Sequence, residues 1–164
     1  MSAARRLLAT TAGEDETVAL GRRLAARLVP DGVLLLSGDL GAGKTVLARG
    51  VAAGLGLPPD EVQSPTYTLV REHRAPSGQR LVHLDLYRLE PEEAAELGLD
   101  ETFAAPGVKV VEWAERLVAP PPGALALELV RVPGGREVWE VGGGEEGTAP
   151  GRPIEHDSEE ERVR

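Results

Sequence analysis

The chain has 164 residues, 41% hydrophobic but only 3% aromatic, which predicts one domain with a core built mostly of leucine, valine and alanine. The absence of cysteine excludes disulfides and thiolate metal sites, and no apolar run is long enough to span a membrane or act as a signal peptide, so we expect a cytoplasmic location. The net charge of −9 and pI of about 4.9 argue against a protein that binds nucleic acid by itself, although they allow contact with RNA through a partner.

The first half of the chain alternates strand and helix patterns. Residues 14–29 place apolar side chains on one helical face behind an acidic first turn, and Pro30–Gly32 ends that helix in a turn. The run VLLLS is typical of a central strand covered on both faces. The predicted elements here are a strand at 5–10, a helix at 14–29, a strand at 33–37 and a helix at 44–55.

The second half favours hairpins. Two strand-like segments flank APSGQ, a proline and nearby acids open a short helix, and a second hairpin straddles Pro133–Gly135. The predicted elements are strands at 67–73, 80–89, 108–113, 124–132 and 136–141 and a helix at 91–97. Together they predict a three-layer α/β domain over residues 1–142 with a mixed, partly antiparallel sheet. Residues 143–164 are acidic with almost nothing to bury, and we expect a disordered tail.

The segment GDLGAGKT matches the phosphate-loop pattern G-x-x-x-x-G-K-[ST] at Gly38, Gly43, Lys44 and Thr45. Glycines let successive backbone N–H groups converge on phosphate oxygens, and the following helix directs its free N–H groups to the same place. Lys44 would reach the β- and γ-phosphates and Thr45 would bind Mg²⁺. The alternative is an ordinary glycine-rich turn, but a strand before the motif and a helix after it favour a P-loop NTPase-like site. The expected nucleotide contacts are Gly38, Asp39, Leu40, Gly41, Ala42, Gly43, Lys44, Thr45 and Val46.

Two apolar strands end on acids, Asp85 and Glu112, and Mg²⁺ needs carboxylate oxygens. A strand-end acid by itself is more often solvated or salt-bridged. Beside a phosphate loop, one plausible division of roles has Asp85 holding the hydrated metal and Glu112 positioning the attacking water.

Three further residues are open to two interpretations. Thr66 in SPTYT could sense the γ-phosphate as a switch segment does, or belong to an ordinary turn. Trp113 could be a core anchor or part of the site, and His83 is expected to be a packed neutral histidine rather than a ligand. The chain contains no asparagine, so the usual Asn-Lys-x-Asp guanine reader of GTPases cannot exist, which favours ATP.

Several segments in order resemble the TsaE family: SGDLGAGKT, VQSPTYTLV, HLDLYRL, ELGLDE and VVEWAER. The resemblance implies a small Mg²⁺-dependent ATPase that works with TsaB and TsaD in forming N6-threonylcarbamoyladenosine at position 37 of tRNA, with tRNA contacted only through that complex. It also implies that ATP hydrolysis supports or resets the partner enzyme.

Carried over by position, the resemblance makes Lys44 and Glu112 catalytic, assigns Thr45, Asp85 and Glu112 to the metal side, and adds Thr66 and Trp113 to the ATP contacts. Val46 stands where the family often has a second threonine, and the acidic tail is not part of the pattern. The alternatives are a small-molecule kinase using the same loop and a nucleotide-gated binding module without turnover.

Overall fold

The computed structural model of the chain describes residues 4–62 and 70–142, which form one seven-stranded sheet with helices on both faces. The strands are β1 (Arg5–Thr11), β2 (Val33–Ser37), β3 (Val70–Arg74), β4 (Arg80–Asp85), β5 (Val108–Glu112), β6 (Leu125–Val132) and β7 (Gly135–Val141). The helices are α1 (Glu14–Leu28), α2 (Lys44–Gly54), α3 (Pro91–Glu96) and α4 (Leu99–Ala104), with 3₁₀ turns at Pro59–Glu61 and Ala114–Arg116.

The strand order β1-β7-β6-β2-β5-β4-β3 places β2 between β6 and β5. The central strands β6, β2, β5 and β4 are parallel, whereas β3 pairs antiparallel with β4, and β7 pairs antiparallel with both β6 and β1. The sheet is therefore mixed and partly antiparallel. Because the carboxyl ends of the parallel strands share one edge, whatever follows β2, β4 and β5 meets there.

Alternation along the strands divides the core between the two faces of the sheet. In β2, Leu34 and Leu36 face the larger cluster, which α1 and α2 cover, while Leu35 faces the smaller cluster with Ala94 of α3 and Leu99 of α4. The three-layer α/β expectation is confirmed. No helix in the described part of the chain combines the length and apolarity needed to cross a membrane.

The element boundaries correct the sequence expectations in three places. The strand predicted at 80–89 ends at Asp85, because the Asp85 carboxylate accepts the Tyr87 N–H and Leu89 N–H bonds to Leu86 O, turning the chain. The helix α4 was not predicted at all. Gly135, expected in a turn, pairs with Val132 as the first residue of β7. The segment 67–69, Thr66 and the acidic tail lie outside the described residues.

Two glycines set the distance between α1 and α2. A Cβ on Gly21 would lie 2.5 Å from Leu47 O, and one on Gly50 would overlap Val18 O and lie 2.9 Å from the Gly21 Cα. The helix that begins at the phosphate loop is therefore fixed to α1 by direct backbone contact, which no other residue type permits.

We predict that Gly50→Ala lowers the free energy of unfolding by about 2 kcal/mol, because the added methyl group forces two backbones apart. Alanine favours a helix over glycine by about 1 kcal/mol, so the predicted loss of stability would occur despite this gain in helix propensity. Urea denaturation monitored by circular dichroism measures it. If the variant is as stable as the wild type or more stable, α1 and α2 can move apart to accommodate the methyl group without loss of stability.

Candidate nucleotide-binding site

The loop Gly38–Thr45, called the phosphate loop below, joins the carboxyl end of β2 to the first turn of α2. Gly43 is the N-cap of α2 with a φ of 106°, in the left-handed region that favours glycine. Gly38 has a φ of 143°, and a Cβ there would lie 2.5 Å from Leu129 O of β6. The glycines of the motif are thus required both by backbone conformation and by close packing against β6.

Lys44 is buried beneath this loop, 5% exposed. Its Nζ donates to Gly38 O at 2.5 Å and Asp39 O at 2.9 Å, and it lies 4.1 Å from the centre of the Trp113 ring. Burial lowers the pKa of the Lys44 amine, and nearby carboxylates, Glu115 first, oppose that shift. Lys44 is thus a buried cation that donates to carbonyl groups of its own glycine-rich loop at the start of α2.

Glu112 connects the phosphate loop to the neighbouring strands. It ends β5, directly beside β2, where it pairs with Leu36. Its Oε1 accepts from the Thr45 hydroxyl at 2.6 Å, and its Oε2 lies 2.5 Å from His83 Nε2. Both carboxylate oxygens are thus held by side chains, and Glu112 is only 2% exposed.

Asp85 and His83 share this face because the side chains of β4 alternate. Asp85 is the register partner of Glu112, one strand further from the loop, and its Oδ1 accepts the Tyr87 N–H at 2.9 Å. His83 is fully buried, and its Nδ1 has no hydrogen-bond partner among residues 4–62 and 70–142. The packed histidine expected from the sequence is therefore also the residue that holds Glu112, a role that sequence reasoning missed.

Trp113 directly follows Glu112 and contacts both Lys44 and Tyr87. It has a φ of 59° and is the one non-glycine residue with positive φ in the part of the chain that is described. Its ring lies 4.9 Å from that of Tyr87 and carries the Lys44 amine on its face. Strained backbone at such positions is typical of functional sites. Of the two interpretations of Trp113, the structure favours a place at the site, with part of its ring against the α3–α4 core.

An exposed carboxylate lies at the mouth of the loop. Glu115 Oε2 accepts the Gly38 N–H at 3.3 Å. An anion bound at this loop would use the same N–H, so the Glu115 carboxylate would compete with it.

The structure brings most of the predicted site residues together. Lys44, Thr45, Glu112 and Trp113 meet at the start of α2, with Asp85 adjacent to Glu112, while Thr66 lies outside the described residues. No group of three or more histidine, cysteine, aspartate or glutamate side chains is placed to hold a metal ion within the described ranges. The oxygen donors near the loop are a hydroxyl and carboxylates, which is the donor chemistry of Mg²⁺ completed by phosphate oxygens and water.

Comparison with known proteins decides the family. The model of a family described as threonylcarbamoyl adenosine biosynthesis protein TsaE matches residues 11–137, which include the phosphate loop, Asp85, Glu112 and Trp113. The chain belongs to the TsaE family. The expectation drawn from the sequence motifs is confirmed.

Curated TsaE proteins give the same result. The chain is 46% identical over 104 residues to a Bacillus subtilis relative named tRNA threonylcarbamoyladenosine biosynthesis protein TsaE, and the match covers 63% of the chain and 64% of that relative's length. It is 42% identical over 113 residues to the Nostoc TsaE protein, covering 65% of the chain and 67% of that protein. The crystal structure of Bacillus subtilis YdiB superimposes with a TM-score of 0.65 at 34% identity, covering 85% of this chain and 86% of that one.

Proposed function

We propose that this TsaE-family chain is a Mg²⁺-dependent ATPase that supports formation of N6-threonylcarbamoyladenosine at position 37 of tRNA, working with TsaB and TsaD. The observation that carries the proposal is the contact of Thr45 with Glu112, 2.6 Å apart, at the N-terminus of α2 and beside the buried Lys44. A hydroxyl, a carboxylate and a lysine meeting at a glycine-rich helix start are the parts that phosphoryl chemistry uses.

Binding of the ATP phosphates would use hydrogen-bond donors of the phosphate loop and of Lys44. The loop amides and the N-terminal dipole of α2 would receive the phosphate oxygens, and the Lys44 amine would exchange Gly38 O and Asp39 O for them. Lys44 already lies at the loop, so its amine would only need to exchange partners when phosphate binds.

The residues near Thr45 fit a magnesium ion. The Thr45 hydroxyl and the carboxylates of Glu112 and Asp85 are hard oxygen donors on adjacent strands. When bound, Mg²⁺ would neutralise phosphate charge and favour departure of ADP. Glu112 lies on the strand next to β2, and Asp85 on the strand beyond it, so we place Glu112 closer to the loop and Asp85 at the outer edge of the metal side.

Hydrolysis requires a group that orients water and accepts its proton. Glu112 would do so: the water oxygen forms a bond to the γ-phosphorus, the bond to the β–γ bridging oxygen breaks, and the water proton passes to the carboxylate before leaving with phosphate. His83 would keep the carboxylate in one orientation through its 2.5 Å contact with Oε2.

The proposed partners rest on the family. Its curated members are named for tRNA threonylcarbamoyladenosine biosynthesis. A net charge of −9 makes direct tRNA binding by this chain unfavourable, which supports contact with tRNA through TsaB and TsaD.

The test combines two assays. Phosphate release from Mg²⁺·ATP is measured with the chain alone and without any acceptor, and modified tRNA is then counted with TsaB, TsaD and tRNA, with and without the chain. We expect slow hydrolysis alone and tRNA modification over many turnovers only when the chain and hydrolysable ATP are present. ATP turnover that appears only on adding a metabolite would indicate the kinase alternative, and bound but intact ATP in the full mixture would indicate a binding module.

We predict that Glu115→Gln raises ATP affinity a few-fold, because its exposed carboxylate competes with phosphate for the Gly38 N–H and repels the triphosphate. The gain should shrink at high salt, where exposed charges are screened. Calorimetric titration with Mg²⁺·ATP at two salt concentrations measures it, with Glu101→Gln on α4 as the control. Weaker binding by Glu115→Gln would show that Glu115 instead holds the loop open for the nucleotide.

A further inference from the structure

The β6–β7 hairpin places two arginines against the phosphate loop. Arg131 and Arg136 are register partners on adjacent antiparallel strands. The pairing of β6 with β2 ends at Ser37 and Glu128, so both arginines lie beyond the end of β2, at the level of the loop. They approach it from the β6 side, whereas Glu112 and Asp85 lie on the opposite side, on β5 and β4.

Arg136 contacts the loop closely. Its Nη2 donates to Gly41 O at 3.5 Å, and a Cβ on Gly43 would lie 2.8 Å from its Nε and 2.9 Å from its Cδ. The glycine at position 43 thus leaves the space that this guanidinium group fills. Arg131 Nη1 lies 3.6 Å from where a Cβ on Gly41 would be.

The pair is electrostatically unfavourable as it stands. Like charges directly opposite each other on a sheet destabilise it, and neither arginine has a salt bridge within residues 4–62 and 70–142. Within the same residues the Nε of Arg136 is buried without a hydrogen-bond partner. The two guanidinium groups therefore remain available to a ligand bound at the loop.

The two sides of the loop define the direction of a bound nucleotide. The carboxylates and Thr45 mark the side where metal and terminal phosphate would lie, so the nucleoside extends to the other side, toward β6 and β7. We infer that the Arg136 guanidinium is the platform on which the purine of ATP stacks, with Arg131 beside it. This inference rests on the proposed function and assigns the nucleobase contact of the same site.

Arginine suits this role because its guanidinium group is planar and weakly hydrated and stacks on aromatic rings. Stacking uses the face of a base rather than its edge. A platform of this kind needs none of the asparagine side chains that the sequence lacks. The contact should therefore strengthen binding of the nucleoside and leave binding of the triphosphate group alone unchanged.

The test compares two ligands, Mg²⁺·ATP and Mg²⁺·tripolyphosphate, which lacks the nucleoside, by calorimetric titration. Arg136→Met keeps an unbranched side chain packed on Gly43 but removes the charge. Arg136→Lys keeps the positive charge but lacks the planar guanidinium group. Arg22→Ala, which removes an exposed arginine side chain on α1, is the control. We expect both Arg136 variants to weaken ATP binding about tenfold while tripolyphosphate binding changes less than twofold. The control should bind both ligands like the wild type.

Each other result overturns the inference. Equal loss of both ligands would make Arg136 a phosphate contact, as would recovery of ATP affinity in Arg136→Lys, and unchanged ATP affinity would remove it from the site. If Arg136→Met fails to fold, judged by its melting temperature, Arg136→Lys decides the question. A wild-type chain that binds neither ligand would instead refute the proposed function together with the inference, whereas failure of the inference alone leaves wild-type binding intact.

Discussion

Replacing Lys44 with alanine should weaken Mg²⁺·ATP binding at least tenfold and remove measurable hydrolysis. A hydrogen bond to a charged group contributes about 1.5–3 kcal/mol, which corresponds to about 10–150-fold in affinity. Lys44 is the buried cation beneath the phosphate loop, and its amine already lies against the loop carbonyls at 2.5 and 2.9 Å. Calorimetry gives the affinity, and phosphate release gives the rate.

The tryptophan beside Lys44 offers an independent readout. The Lys44 amine lies 4.1 Å from the centre of the Trp113 ring, so its movement toward phosphate should change Trp113 fluorescence. Trp139→Phe leaves Trp113 as the single tryptophan, since the chain has only two. We expect Mg²⁺·ATP to change the emission in this background and to leave it unchanged when Lys44→Met is added. Full ATPase activity in Lys44→Ala would refute the site assignment.

Much of the fold follows from periodicity. The apolar runs at β2 and β5 are typical of strands covered on both faces, and glycines and prolines mark the ends of α1 and α2. Helix α4 escaped prediction because its six residues, LDETFA, carry too short a pattern to distinguish helix from loop. Sheet order was also beyond reach, because it depends on how distant segments pair rather than on any one segment.

The residues of the candidate site likewise divide into those that a local pattern predicts and those that depend on distant parts of the fold. Lys44 and Thr45 belong to a local motif whose chemistry is contained in its spacing, and Glu112 follows a strand of obvious character. His83 precedes its contact Glu112 by 29 residues, and Arg136 follows its contact Gly41 by 95 residues. Both contacts therefore exist only in the folded chain. In the sequence, a lone histidine in an apolar strand or an arginine after a turn gives no sign of which distant residue it contacts. The paired register of β4 with β5, and of β6 with β7, is what brings His83 to Glu112 and Arg136 to the phosphate loop.

Glu112→Gln should lower kcat by about 100-fold or more while ATP still binds, since positioned general bases contribute about 10²–10⁴-fold. Glutamine has the same shape and can still accept from the Thr45 hydroxyl, but it cannot take a proton from water. The contact with His83 Nε2 would be rearranged as well, because an amide nitrogen and a carboxylate oxygen have opposite hydrogen-bonding preferences. Single-turnover phosphate release at saturating ATP isolates the chemical step.

Varying the magnesium concentration separates the two roles that Glu112 could have. A metal ligand whose charge is lost is compensated by more Mg²⁺, whereas the loss of a base is not, so we expect kcat of Glu112→Gln to remain low at saturating Mg²⁺ and Asp85→Asn to recover in part. Glu101→Gln on α4 is the matched control, because it makes the same change of carboxylate to amide away from the phosphate loop. A kcat within a few-fold of the wild type in Glu112→Gln would show that another group orients the water. Recovery of that variant by magnesium alone would restrict Glu112 to holding the metal.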